Sequence, residues 1–250
     1  MNDLNPLIQT REFADAPGWH GWRVGITGGT SGLGRALLQA LHAQGAQVAF
    51  VARHAEAVAA TAAAFPGSHG IIGDLGRKED IHAIALQMLG TLGGLDLLVN
   101  NASSLGPVPL ALLADTECEA FEEALQTNLL GPFRLTRAVL GALAASAREG
   151  RAGLVLNVSS DAAQTPYARW GAYGASKAAL AHMSRIWDEE LRGSGVRVLA
   201  LDPGDMDTPL HALAVPDADP ATLKPPAVAA RELMAAVQLA LRSRATQVSA

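Results

Sequence analysis

Six short apolar runs bounded by turn-forming residues recur along the 250-residue chain, and the stretches between them carry helical spacing; this alternation restricts the fold more than any other feature. The runs are Arg23–Thr27, Gln47–Ala52, His69–Ile72, 95–100, 153–158 and 196–202. Strands that alternate with helices argue for βαβ units on a parallel sheet, because parallel neighbours need a long crossover between them. After Arg35, the residues Ala36, Leu37, Leu38, Ala40 and Leu41 lie at helical spacing, and Gly45 follows as a stop. Further helices are expected at 79–91, 117–147 (two joined near Asn128), 172–192 and 227–242, and the alanine-rich 55–64 has ordinary helix composition. Hydrophobic residues make up 49% of the chain but aromatics only 4%, so the interior is built mainly from Ala, Val, Leu and Ile.

Neither an internal repeat nor an interdomain linker interrupts this pattern. The expected organisation is an N-terminal extension over 1–21 and one domain over 22–250. Between Pro203 and Pro226, six of the thirteen prolines fall among small and acidic residues, which reads as a long loop or lid near the carboxyl edge of the sheet. The first 22 residues include Asp3, Arg11, Glu12 and Asp15 and no apolar run of signal-peptide length, and no segment approaches the roughly 20 apolar residues that span a bilayer. With 19 basic and 24 acidic residues scattered along the chain, no basic stripe exists to neutralise a phosphate backbone, so nucleic acid is not an expected partner. Cys118 is the only cysteine, which excludes an internal disulfide, and no Cys or His spacing suggests a metal. A soluble protein of the reducing cytoplasm, without membrane partner or metal, is the expectation.

The segment Thr27-Gly28-Gly29-Thr30-Ser31-Gly32-Leu33-Gly34 follows the first strand and opens the first helix. Gly28 permits a tight turn, Gly32 lets the backbone approach a pyrophosphate, and Gly34 lets the helix lie against the strand; free N–H groups at the helix start attract phosphate. The spacing is G-x-x-x-G-x-G rather than G-x-G-x-x-G, and a flexible turn without ligand is the competing reading. Where an NAD site holds an acidic group after the second strand, this chain has Ala52 and then Arg53, with Glu56 three residues further on. A guanidinium there suits a 2′-phosphate, so NADP(H) is preferred over NAD(H), against the alternative of a solvated arginine leading a helix.

Tyr173-Gly174-Ala175-Ser176-Lys177 opens another helix, and the i to i+4 spacing sets a phenol and an ammonium on one face. A nearby cation favours the phenolate and is expected to lower the tyrosine pKa from about 10 toward working pH, so that the hydroxyl can exchange a proton during hydride transfer. With two tyrosines and three lysines in the whole chain, the pairing is not a product of abundance.

Over roughly 22–208 the sequence resembles the short-chain dehydrogenase/reductase family in its single-domain form. The resemblance rests on ordered motifs: Thr27 to Gly34, Asp74-Leu75, Asn100-Asn101-Ala102, Asn128, Ser159-Ser160, Tyr173-x-x-x-Lys177 and Pro203-Gly204. It implies a Rossmann-type doubly wound α/β fold, a parallel sheet with helices on both faces. It also implies an NADP(H)-dependent oxidoreductase that interconverts a ketone or aldehyde and an alcohol. By that likeness Tyr173 is the general acid/base, Lys177 binds the nicotinamide ribose, Ser160 steadies the developing oxyanion, and Asn128 holds a water that relays protons. The cofactor would also meet Thr30, Ser31 and Leu33 in the turn, Asp74 at the adenine amino group, Leu75, Asn101 and Ala102 along the adenosine side, Pro203 and Gly204, and Thr208 at the carboxamide. Segments 104–109, 161–170 and 203–226 are the expected substrate walls, with Tyr167, Trp170 and Leu210 making them partly apolar.

Two departures from the family pattern stand out. Ser103 occupies a position that is usually glycine, which is expected to reshape the adenosine pocket slightly. A seventh strand is not found after the 227–242 helix, so a homodimer through the 117–147 and 172–192 helices is expected. Two other functions remain open on sequence alone: a catalytically silent dinucleotide-binding regulator, and an epimerase or dehydratase on the same fold.

Overall fold

The structure, a computed structural model, describes residues 18–248, with side chains over 18–242. Most of the expected 1–21 extension therefore lies outside the described residues. The six expected strands form at Arg23–Thr27 (β1), Gln47–Ala52 (β2), His69–Ile72 (β3), Leu97–Asn100 (β4), Leu154–Val158 (β5) and Arg197–Leu201 (β6). All pair in parallel in the order β3-β2-β1-β4-β5-β6, with Gly25 of β1 in register with Ala49 on one side and Leu98 on the other. The order reverses between β1 and β4, and the crevice beyond their carboxyl ends is where an open α/β sheet binds ligands. The chain is a single Rossmann-like α/β domain.

Among the described residues there are eight α-helices: Gly32–Ala43 (α1), Ala55–Ala64 (α2), Ile81–Leu92 (α3), Cys118–Leu125 (α4), Gly131–Arg148 (α5), Gly171–Glu190 (α6), Pro209–Ala214 (α7) and Pro226–Val248 (α8). Alternation along the strands divides the core. Val48 and Phe50 of β2 join Leu37, Leu38 and Leu41 of α1 and Leu233 and Val237 of α8, whereas Ala49 and Val51 join Ile84 and Met88 of α3 and Leu135, Val139 and Leu143 of α5. Each wholly buried leucine of this kind contributes about 1.5–3 kcal/mol relative to exposure.

One expected joint takes a specific form, and two segments differ from expectation. The 117–147 stretch is broken by a π turn at Gln126–Leu130, so α4 and α5 join through widened backbone that carries Asn128 inward. The 203–226 segment is not a plain loop. Thr208 accepts a hydrogen bond from His211 N (3.2 Å) and Pro209 takes the first helical position, which starts α7; Asp219 caps a short turn at Pro220–Thr222 in the same way. The neck of this lid is pinned where Lys224 N donates to the Asp205 carbonyl (3.0 Å), Asp207 N donates to the Lys224 carbonyl (3.1 Å), and Lys224 Nζ reaches both the Pro203 carbonyl and Glu232. The last helix also runs longer than the expected 227–242, and no seventh strand occurs among the described residues. No described helix is long and apolar enough to cross a membrane.

Candidate active site

At the carboxyl ends of β1, β4, β5 and β6 lies a cavity of about 610 Å³. One end is the glycine turn. Gly28 has φ +71°, a backbone conformation that side chains rarely adopt, and a methyl at Gly34 would overlap the Gly28 carbonyl. Asn101 holds the turn from across the sheet: its Nδ2 donates to the carbonyls of Thr27 (2.9 Å) and Gly28 (3.2 Å), while Thr27 Oγ1 accepts from the backbone of Asn101 and Ala102. Asn101 thus borders the expected adenosine side of the cavity and also builds the turn. Ser31, the residue before α1, makes no side-chain cap, and no acidic residue occupies the helix's first turn. The amides at that helix start are left to a ligand, and their partial positive charge fits a pyrophosphate.

Gly28, Thr30, Ser31, Gly32, Leu33, Arg53, Asp74, Leu75, Asn101, Ala102, Pro203, Gly204 and Thr208, all expected at a cofactor, line this one cavity; Gly34 lies under the turn and Asn128 behind the wall. Arg53 follows the end of β2 and lines the cavity beside His54. Asp74 Oδ1 accepts from Gly76 N (2.9 Å), which sets the carboxylate at the cavity edge. Thr208 lies against Gly32, so the start of α7 roofs the turn.

The chemical groups converge at the other end. Tyr173 and Lys177 on α6 face the same cavity, with Lys177 Nζ 5.5 Å from the phenol ring centroid and donating to the Val158 carbonyl (2.8 Å). Trp170 packs edge-on against Tyr173 at 5.6 Å between ring centroids. Ser160, after β5, donates to Asp161 Oδ1 (3.1 Å) and accepts from Ala162 N (3.2 Å). Leu105, Ala162 and Tyr173 form a small apolar cluster against which Trp170, Leu210 and Ala214 pack, as the expected substrate walls require. Asn128 is wholly buried. Its Nδ2 donates to the Ser104 carbonyl (2.7 Å) and Ser176 Oγ (2.9 Å), and its Oδ1 accepts from Ser103 Oγ (3.1 Å) and Ser104 N (2.8 Å). That amide is saturated, so the expected relay water has no side-chain group of Asn128 left to hold it.

The electrostatics correct one expectation outright. Burial pushes the Tyr173 phenol up to about 12; the hydroxyls of Ser160 and Ser103 oppose this by hydrogen bonding, and the carboxylates of Asp202 and Asp161 add to it. Burial also brings Lys177 down to about 8. The ammonium that was expected to pull the phenol toward neutrality is thus itself weakened by the desolvation that it was meant to offset. Asp202 is raised, first by partial burial and then by the neighbouring carboxylates of Asp161 and Asp205. Sequence reasoning put Asp161 and Asp205 in the expected substrate walls and Ser103 in the pocket, but missed Asp202 and the effect of these groups on Tyr173. The signal for Asp202 was its place directly before Pro203-Gly204; nothing in the spacing joins Asp161 or Ser103 to Tyr173.

The short chain dehydrogenase family model matches residues 23–219. The chain is 34% identical over 187 residues to serine 3-dehydrogenase of Rhizobium radiobacter, covering 73% of this chain and 71% of that one. It is 30% identical to L-fucose dehydrogenase of Mus musculus over 198 residues, 79% of this chain and 70% of the other. Among solved structures, it is similar to 3-ketoacyl-(acyl-carrier-protein) reductase of Brucella melitensis complexed with NADH (TM-score 0.80, 26% identity, 86% and 90% coverage). A short chain dehydrogenase of Shigella flexneri complexed with NADP superposes with TM-score 0.75 at 29% identity, covering 82% of this chain and 86% of that one.

Proposed function

The chain belongs to the short-chain dehydrogenase family and is an oxidoreductase, and from that premise we propose that it reduces a ketone or aldehyde reversibly to an alcohol with NADP(H), using Tyr173 as proton donor and acceptor. The observation that carries this reading is the single cavity that joins the glycine turn, with its uncapped helix start, to Tyr173 and Lys177. When bound, the nicotinamide supplies or takes up the hydride. The glycine turn would hold the pyrophosphate, Arg53 would pair with the 2′-phosphate, and Thr208 and Gly204 would border the nicotinamide.

In the reductive direction, Tyr173 donates its proton to the carbonyl oxygen, and Ser160 turns its hydroxyl from Asp161 to the same oxygen as charge develops. A phenol raised to about 12 holds its proton firmly at neutral pH, which suits the donor role. Lys177 stays within reach of the ring and limits the cost of the phenolate once it forms. The carboxylates of Asp161, Asp202 and Asp205 disfavour a negative charge beside the carbonyl. Neutral ketones should therefore be reduced faster than keto acids of the same size, a comparison of kcat/KM across matched ester and acid pairs.

The test is a panel of carbonyl compounds with NADPH and with NADH, followed by the absorbance of the reduced nicotinamide. We expect NADPH to be preferred and Arg53→Glu to reverse the preference chiefly through KM, by about tenfold or more, the loss of a charge-assisted pair. An unchanged ratio in that variant would overturn the cofactor assignment, and no turnover with any carbonyl would overturn the reaction. A cytoplasmic homodimer through α4, α5 and α6 accompanies this reading.

A further inference from the structure

The Ser160 hydroxyl that the reduction needs is engaged elsewhere in the free site. Its Oγ lies 3.1 Å from Asp161 Oδ1. A carboxylate oxygen can only accept, so Ser160 gives its single proton to that bond, while its oxygen accepts from Ala162 N at 3.2 Å. Tyr167 donates to the other carboxylate oxygen, Oδ2, at 2.7 Å. The phenol of Tyr167 packs edge-on to Trp170 at 6.5 Å between centroids, and Trp170 packs in turn on Tyr173. The main chain of Asp161 is held as well, because Gln164 N and Thr165 N donate to its carbonyl at 2.8 and 2.9 Å. The carboxylate is thus fixed through its backbone and through Oδ2, with Oδ1 against Ser160, and all four of Ser160, Asp161, Tyr167 and Tyr173 line the one cavity.

For Ser160 to donate to a substrate carbonyl oxygen, its proton must leave Asp161 Oδ1. Oδ2 keeps Tyr167, but Oδ1 then has no other donor among the described residues. With substrate covering it, a charged acceptor without a donor costs more than the bond to a neutral carbonyl returns. A substrate that brings its own donor removes this cost. A hydroxyl or protonated amine on the carbon next to the carbonyl would donate to Oδ1 while the carbonyl oxygen accepts from Ser160. The 3.1 Å between Ser160 Oγ and Asp161 Oδ1 suits two such groups, which sit side by side on adjacent carbons. A substituent that can only accept meets a carboxylate that can only accept. Asp202 and Asp205, on the same cavity, bias it against anions in the same direction, but Asp202 Oδ1 is taken by Gly204 N at 2.9 Å and Asp161 is the acid bonded to Ser160.

We propose that Asp161 is a specificity-determining residue that selects carbonyl compounds carrying a hydroxyl or protonated amine on the adjacent carbon. The substrate's donor takes the place of the Ser160 proton at Asp161 Oδ1 and frees Ser160 for the carbonyl oxygen. The proposal rests on the carbonyl reduction proposed above and names its substrate class. With a simple ketone, Ser160 has to choose between Asp161 and the substrate; with an adjacent donor, both bonds form at once. Tyr167 keeps the carboxylate in place throughout. In the oxidative direction the same two groups receive a vicinal diol or an amino alcohol.

Three aryl ketones separate the donor from its inductive effect. Phenacyl alcohol carries the hydroxyl, its methyl ether keeps the electron withdrawal without the proton, and propiophenone has neither. With NADPH, we expect kcat/KM for phenacyl alcohol to exceed that for each of the others by about tenfold or more, the size of one hydrogen bond to a charged group. Asp161→Ala should equalise phenacyl alcohol and its ether, chiefly by slowing the alcohol. Thermal melts check the fold, and Asp161→Leu, which also lacks an acceptor, carries the same test if the alanine variant fails to fold. Phenacyl alcohol no better than its ether in the wild type, or an advantage that survives the loss of the carboxylate, would overturn the proposal. Calorimetric titration of the same ketones into protein loaded with NADP⁺, where no hydride is available, reads the preference as a ratio of Kd values. A protein that reduced none of them would sink the reaction proposed above, and this ratio would still decide the role of Asp161: about tenfold in favour of phenacyl alcohol supports it, and a ratio near one overturns it.

Discussion

Tyr173 sits among groups that pull its proton in opposite directions, and the balance makes a prediction. Asp202 presents a carboxylate that disfavours the phenolate, so Asp202→Asn should lower the phenol's pKa. In the proposed mechanism alcohol oxidation needs the phenolate as base, so the acid limb of its kcat/KM profile should move to lower pH, by roughly half a unit to one unit. A limb that moved upward or stayed would mean that Asp202 acts by some other route. Tyr173 and Lys177 were legible as a pair because side chains one helical turn apart share a face whatever surrounds them, whereas Ser160, after β5, came only from the family resemblance. The direction of the phenol's shift was not legible, because desolvation depends on Leu105 and Ala162, which pack around the ring from other segments of the chain.

Elements were legible where one residue type decides the backbone. The turn from Thr27 to Gly34 formed as its glycines required, and a close approach of α1 to β1 leaves no room for a side chain at Gly34. Gly34→Ala should cost about 1–3 kcal/mol as overpacking and weaken dinucleotide binding in parallel, read by thermal unfolding with and without NADPH. Equal stabilisation of both proteins by NADPH would argue that the turn does not hold the cofactor. The lid was legible as a proline-rich segment, but the short helix inside it was not. Pro209 starts α7 behind the Thr208 cap, and Lys224 closes the neck through bonds to residues twenty positions away that no local pattern announces. The π turn at Gln126–Leu130 shows the same limit: the sequence pointed to a joint near Asn128, but its form depends on Ser104 and Ser176 reaching the amide.

At the scale of the whole molecule, the sheet separates a reactive edge from a stabilising one. At the amino ends of the strands Asp96 is almost wholly buried and takes hydrogen bonds from Arg23 N and from the guanidinium groups of Arg23 and Arg151. Burial alone would raise its carboxyl, but Arg151 and Arg23 hold it well below the ordinary carboxylate range. A folded pKa below the unfolded value means that this contribution is complete above about pH 4 and is lost as pH falls through and below that value. Asp96→Asn should therefore destabilise the protein at neutral pH by about 3–5 kcal/mol, with the gap to wild type narrowing in acid. Denaturant unfolding at several pH values measures it, and a gap that widened in acid would refute the assignment. Parallel pairing was legible from the alternation of elements, whereas this charge cluster joins positions separated by up to 128 residues. The proposed dimer belongs to the same scale, and light scattering that gave a clean monomer would remove it.

The proposed proton transfer depends on the Tyr173 hydroxyl, and Tyr173→Phe isolates it, since the change removes one oxygen from a ring already packed against Trp170. NADPH should bind the variant with nearly the wild-type Kd, read by tryptophan fluorescence, while the single-turnover rate of hydride transfer to a carbonyl substrate falls by about 10²–10⁴-fold. Hydride transfer at the wild-type rate in Tyr173→Phe, with binding intact, would contradict it.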